Sequence, residues 1–223
     1  MTTQLAAELR LMQLCSPSLP IGAFAYSHGL ESLISTGQIS NEADASRYLS
    51  SYTPRSLGYL ELPRLLRMHQ AFEIGNLKVA HEQSQLLFAA RETKEFRNQE
   101  TQLAHSFHRL LRSLAPTWPL DSISPLTFSE LFAFATVQWQ IGAMSAIAGF
   151  GYLYVDGLVT AIAKLLALGP SASQHLLSDL IVQIPSICET AMNIKEDDVG
   201  ATSPGLALVS ARHETQHFRL FRS

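Results

Sequence analysis

Two cysteines among 223 residues, Cys15 and Cys188, are too few and too far apart for a disulfide framework. With no CxxC pair there is no Cys-rich zinc site either, and a reducing compartment fits. Charge is also sparse: Asp, Glu, Lys and Arg make up 16% of the chain, against about 25% in an average soluble protein. Basic residues are not in surplus. Sixteen Lys and Arg stand against nineteen Asp and Glu, for a net charge of -3, which excludes a dedicated nucleic-acid binder that must neutralise phosphates. The chain has no P-loop, no G-x-G-x-x-G and no G-x-S-x-G elbow, so neither a phosphate cradle nor a hydrolase nucleophile is spelled out. No alternating apolar runs are joined by Asn-Gly or Asp-Gly, so hairpins are not signalled. Repeats and low-complexity tracts are lacking as well.

What is present is apolar residue in helical spacing. Hydrophobic residues reach 47%, which excludes disorder and suffices for one core. The pattern predicts an all-α single domain over 1–223, a bundle of roughly eight to ten helices with a loop-rich N-terminus and a docking C-terminal tail over 206–223. Leu5, Leu9 and Met12 make a first stripe that ends at Ser16-Pro17. Pro17, Pro20 and Gly22 shape the loop that follows, and Ser27 to Ser35 forms a brief helix closed by Gly37. Gly58 to Pro63 is expected to divide the region Asn41 to Ala71 into two helices, with Pro63 in the first turn of the second. Beyond the break at Gly75-Asn76, Leu77 to Ala90 and Arg91 to Leu114 read as amphipathic helices, with Arg91 and Glu95 on an exposed face. Pro116 to Pro125 reads as a linker. Thr127 with Glu130 and Ser171 with Gln174 are spaced as capping boxes. Met144, Ile147, Gly151, Tyr154, Leu158, Ala161 and Leu165 lie at steps of three and four on a buried helix stopped by Gly169-Pro170. The last helix is expected to reach about Met192, bent or restarted near Pro185, before a solvated acidic loop, Glu196-Asp197-Asp198.

Two segments imitate membrane signals. Leu11 to Ala25 resembles a leader, but Glu8 and the interruptions at Pro17 and Pro20 spoil it. Phe132 to Val155 is uncharged over 24 residues, yet Gln138, Gln140 and three glycines favour a buried helix pair over a span. A cytoplasmic chain with no membrane partner is expected.

The sharpest chemical spelling is His213-Glu214-Thr215-Gln216-His217, an HExxH, which on a helix sets two imidazoles on one face for zinc with a Glu as base. Only six residues follow His217, so no third downstream ligand completes a zincin. A zinc hydrolase is therefore the remote alternative, and a weak nickel site at His213 and His217 the intermediate one. His105 and His108, three apart on an amphipathic helix, read as surface or packing residues. The 51 residues from Ser113 to Ala163 lack Lys, Arg and His, which marks core or interface. Arg212, Arg219 and Arg222 with Phe218, Leu220 and Phe221 combine guanidinium groups and aromatic anchors in the manner of interface hot spots.

Leu14 to Glu31, reading LCSPSLPIGAFAYSHGLE, resembles the opening signature of the UreF family of urease accessory proteins. Glu61-Leu62-Pro63 and Arg91-Glu92-Thr93 follow in the family's order. Ser203-Pro204-Gly205-Leu206, Ser210 to Gln216 and Arg219 to Ser223 are similar to its terminal motif. The family pattern has Tyr where His217 stands, so the HExxH arises from one substitution. The resemblance implies a non-enzymatic scaffold that forms a homodimer within a larger complex and has no tightly bound cofactor. It would bind the UreD (or UreH) accessory protein, recruit and regulate the GTPase UreG, and support nickel incorporation into apo-urease. On that reading Arg212, His213, Glu214, Arg219, Leu220, Phe221 and Arg222 face UreD/UreH. Tyr26, His28, Glu31 and Lys164 face the GTPase. The loop Pro17 to Glu31 is accordingly expected to present Tyr26, His28 and Glu31 outward, the alternative being a rigid turn that packs Phe24 into the core. An orphan helical interaction module is the remaining alternative.

Overall fold

The computed structural model describes residues 2–123, 126–200, 208, 210–211 and 219–222. Among these, ten α-helices and no strands are found, joined by short 3-10 turns and one π-helical turn. The helices are α1 (Thr2–Leu14), α2 (Leu30–Ser35), α3 (Glu42–Ser56), α4 (Leu62–Glu73) and α5 (Leu77–Ala89), then α6 (Lys94–Leu114), α7 (Phe128–Gln138), α8 (Ala143–Leu165), α9 (Pro170–Ile181) and α10 (Ile184–Asn193). The all-α expectation holds.

Helices α4, α7 and α8 form the centre. Leu62, Leu65 and Met68 of α4, Leu131, Phe132 and Ala133 of α7, and Ile147, Val155, Leu158 and Ile162 of α8 are sealed from solvent. α5 covers α4, α6 covers α7, and α9 covers α8. α8 is long and apolar enough to cross a membrane, and half of its most apolar window is buried inside this fold.

The two helices expected on either side of Gly58 to Pro63 are α3 and α4, with Pro63 in the first turn of α4, but the junction is a π-helical turn, Leu57–Glu61, that keeps the backbone helical instead of breaking it. Proline explains it. Pro63 has no N–H to give the carbonyl of Tyr59 four residues earlier, and its ring crowds that carbonyl. The backbone widens so that Leu62 N–H donates to Leu57 O, five residues back. Tyr59 O then accepts from Gly200 N–H at 2.9 Å. The orphaned carbonyl becomes the anchor for the strap that follows α10.

The acidic loop on that strap is not simply solvated. The Glu196 carboxylate is ion-paired with Arg64 and, at 2.5 Å, with Arg67. Arg67 also donates to Ile194 O at 3.0 Å. Four further expectations are corrected. Helix α6 begins at Lys94, after Thr93 accepts from Phe96 N–H, so Arg91 lies outside it, and Arg91 and Glu95 point inward rather than to solvent. Gly169, not Ser171, occupies the cap of α9, and Pro170 fills the first helical position, where a missing N–H costs nothing. α8 stops at Leu165, before Ala167 turns to φ 50°. The stripe Leu5, Leu9 and Met12 is exposed, and α1 packs through Ala7, Leu11, Leu14 and Cys15 instead.

At that contact α1 and α8 approach closely because Gly149 has no side chain. A Cβ there would stand 2.6 Å from Leu11 Cδ1 and 3.1 Å from Cys15 Sγ. The Cys15 thiol hydrogen-bonds Gly149 O at 3.2 Å, and burial pushes its pKa up to about 12. Gly149→Leu should lower stability by about 1–2 kcal/mol in urea unfolding, overpacking of about 1–3 kcal/mol being partly offset by a helix-propensity gain of up to ~1 kcal/mol. A stabilised variant would show that α1 does not seat against Gly149.

Candidate functional site

The two chain ends meet at one place. Three left-handed residues bend the opening loop: Gly22 (φ 80°), His28 (φ 53°) and Gly29 (φ 79°). With Pro17 and Pro20 restricting φ upstream, this fixes an irregular backbone between α1 and α2. Ser27 Oγ accepts from Glu31 N–H at 3.3 Å at the start of α2. The Glu31 carboxylate in turn accepts from the backbone amides of Leu220, at 2.6 Å, and Phe221, at 2.9 Å. Arg222 N–H donates to Ala25 O at 2.8 Å, so the tail runs along the loop as a short bonded segment.

Side chains reinforce the junction. Phe221 is 5% exposed, and Lys164 Nζ of α8 lies 4.9 Å from the centre of its ring. Arg219 pairs with Glu95 at 3.0 Å, and Ser210 Oγ and Thr93 Oγ1 are 2.8 Å apart. Tail residues therefore contact α2, the first turn of α6 and the end of α8.

The loop is oriented opposite to expectation on both alternatives. Tyr26 and Glu31 are buried and His28 is partly so, whereas Phe24 is 74% exposed. Glu31 turns inward because two amides of the tail need an acceptor there, and a carboxylate satisfies both with charge-assisted bonds. Phe221 and Arg219, expected to anchor on a partner, are engaged by this chain's own Glu31, Lys164 and Glu95. Leu220 and Arg222 keep exposed side chains, as does Lys164. Arg212, His213, Glu214 and His217 lie outside the described residues.

Behind the loop sits a buried ion network that spacing alone did not reveal. Arg91, on the α5–α6 connection, reaches Glu61 through two bonds of 2.5 and 2.9 Å. Its Nε donates to Glu100 at 3.0 Å, and its Nη2 donates to the same oxygen. The other Glu100 oxygen accepts from Phe128 N–H at 3.2 Å, at the first turn of α7, where a free amide and the positive helix end favour a carboxylate. The two carboxylates hold Arg91 firmly protonated, while burial pushes the Glu61 carboxyl up against the pull of Arg91. Tyr52 and Tyr154 hydroxyls, 2.9 Å apart, and Ser56 extend the network. Gln99 Nε2 donates to His28 Nε2 at 3.1 Å, and the ring packs on Tyr154 with centroids 5.1 Å apart. Burial first, and Arg91 second, push His28 down to about 4, so it is neutral near pH 7.

Among the described residues no group of three or more His, Cys, Asp and Glu is arranged to hold a metal ion. The arrangement is equipped to hold a surface in shape, with Phe24, Leu220 and Lys164 exposed on the segments it joins.

The UreF family model matches residues 39–181. The urease accessory protein UreF of Chromohalobacter salexigens is 38% identical over 215 residues, covering 96% of this chain and 93% of the relative. That of Pseudomonas entomophila is 37% identical over 229 aligned positions, covering both chains in full (100% of each). UreF of Marinomonas sp. is 36% identical over 215 residues, spanning 96% of this chain and 94% of its own.

Three measurements check the site. Arg91→Met should destabilise by about 3–5 kcal/mol in denaturant unfolding, because two buried carboxylates lose their counter-charge; a loss under about 1 kcal/mol would show the network to be solvated. Because His28 has a folded pKa below its unfolded value, the unfolded chain binds the extra proton. Stability should thus fall as pH drops from about 6.5 towards about 4, and His28→Gln should flatten the Tm slope in that window. Glu31→Ala should cost about 1.5–3 kcal/mol and accelerate hydrogen exchange at the Leu220 and Phe221 amides; unchanged protection there would mean that other contacts hold the tail.

Proposed function

The chain belongs to the UreF family of urease accessory proteins, and we propose that it acts as a non-catalytic scaffold in urease maturation, bringing the UreD/UreH accessory protein and the UreG GTPase together on apo-urease. The observation that supports this most is the meeting of the two ends. Residues 14–31 and the described part of the tail, which carry the family resemblance, are bonded to each other through Glu31 and Ala25. Segments distant in sequence are joined into one surface, which is what a scaffold that must be read by partners requires.

On this reading the residues divide by exposure. Tyr26, His28, Glu31 and Phe221 shape the surface from beneath. Leu220, Arg222, Phe24 and Lys164 are the side chains a partner meets, with the tail serving UreD/UreH and the loop with Lys164 serving the GTPase. Nucleotide chemistry belongs to the GTPase, in line with a sequence that has no P-loop. Nickel is cargo, passing to apo-urease and held here at most weakly, with His213 and His217 as the residues that could touch it. A cytoplasmic assembly containing two copies of this chain completes the proposal.

Copurification tests it. Deleting Arg212 to Ser223 should abolish recovery with UreD/UreH while helical circular dichroism is retained, and unchanged recovery would refute the assignment of the tail. Leu220→Glu should weaken that recovery about tenfold without changing Tm, as expected for a surface anchor worth about 1.4 kcal/mol. Glu31→Ala should reduce both recovery and Tm, because it acts through the position of the tail.

A further inference from the structure

The opening loop enters α2 through a tight turn that one of its residues does not favour. Leu30 N–H donates to Ser27 O at 3.1 Å, and both residues between them are left-handed, His28 at φ 53° and Gly29 at φ 79°. This is the arrangement of a type I′ turn, whose central positions belong mostly to glycine, asparagine and aspartate because these tolerate a positive φ. Gly29 fits. His28 does not, since a β-carbon in the left-handed region crowds the following carbonyl oxygen. Contacts from outside the turn must therefore hold His28 where it is.

Helices α6 and α8 supply them. Gln99 of α6, itself buried, donates from Nε2 to His28 Nε2 at 3.1 Å, and Tyr154 of α8 packs on the ring with centroids 5.1 Å apart. The Tyr154 hydroxyl is fixed in turn by Tyr52, at 2.9 Å, and Ser56, at 3.2 Å, both on α3. Burial keeps the imidazole uncharged near pH 7, so Nε2 is free of a proton to accept from an amide. The two contacts act differently. Packing against Tyr154 admits a range of ring rotations, whereas a hydrogen bond needs donor and acceptor aligned and so fixes the ring, and with it the backbone that carries it.

Upstream of the turn, Tyr26 and Ser27 are buried and Phe24 is 74% exposed. The direction in which the chain meets the turn thus sets where Phe24 emerges.

We infer that Gln99 is a positioning residue for the opening loop: through His28 it holds the left-handed turn, and thereby the outward placement of Phe24. The use of that loop as a partner surface rests on the maturation reading, whereas its positioning by Gln99 does not.

Limited chymotrypsin digestion of the full-length protein, with the cut after Phe24 followed by mass spectrometry, tests it, because cleavage tracks the population of the opened loop. Gln99→Met keeps the length of the side chain and removes its donors. It should speed that cut about tenfold, which corresponds to about 1.4 kcal/mol, while cuts elsewhere keep their rates and Tm stays within a few degrees of the parent. His28→Gly accepts the positive φ without a β-carbon, so in that background Gln99→Met should add less than about twofold. A bond that merely adds stability would speed the cut equally in both backgrounds. His28→Ala keeps the β-carbon and loses the ring, and it should be cut faster than His28→Gly. An unchanged rate in Gln99→Met, acceleration of all cuts alike, an equal increment in the His28→Gly background, or His28→Ala cut no faster than His28→Gly would overturn the inference. Copurification with the GTPase separates the two claims: a parent protein that fails to recover it refutes the maturation reading, and the digestion rates still decide the role of Gln99.

Discussion

The Arg91 guanidinium ties together three parts of the chain. It comes from the connection between α5 and α6, grips Glu61 on the π-helical turn and Glu100 on α6, and through Glu100 reaches the first amide of α7. A buried charge without its partner is costly, so each of these groups fixes the others. The constraint begins upstream with Pro63, whose missing N–H widens the helix at Leu57–Glu61. It continues to the strap, because the carbonyl freed at Tyr59 is met by Gly200. Thus one proline, one arginine and two glutamates set the relation between the first half of the bundle and the segment that leads to the tail.

The same economy governs the surface. Few charged side chains are available, and many of them are spent on this chain's own contacts: Glu31 on two tail amides, Glu95 on Arg219, Glu196 on Arg64 and Arg67. The opening loop and the tail are thereby held as one unit on α2, α6 and α8. What they leave outward is a small set of apolar and cationic side chains, Phe24, Leu220, Arg222 and Lys164. Such a surface suits recognition by another protein. Family membership places the chain among urease accessory proteins, and the scaffold role proposed above is consistent with this geometry.

Much of the fold was legible because helices announce themselves through local physics. Spacing of apolar residues placed α4 to α8, the Gly75-Asn76 break preceded α5, and Thr127 was read correctly as the cap of α7, where it accepts from Glu130 N–H at 3.2 Å. Family resemblance singled out both ends of the chain, and the structure brings them together. The roles of individual residues there were less accessible. Glu31 looked like a surface carboxylate because nothing local says that tail amides 189 and 190 positions away will need it.

The sequence by itself determined an all-helical chain, the main breaks between its helices and its membership in a family, since those depend on propensity, periodicity and motifs read over a few residues. Only the tertiary structure decided which face of α1 is buried, that the region around Gly58 continues as a π-turn rather than breaking, and that Arg91 and Glu95 turn inward. It also decided that the loop hides Tyr26 and Glu31 while exposing Phe24. For Arg91, Glu95, Tyr26 and Glu31 the physical reason is shared: whether a polar or charged group faces water or protein depends on whether a partner arrives from elsewhere in the chain. Glu61, Arg91 and Glu100, or Glu31 and the amides of Leu220 and Phe221, become partners only once the bundle has brought them within hydrogen-bond reach.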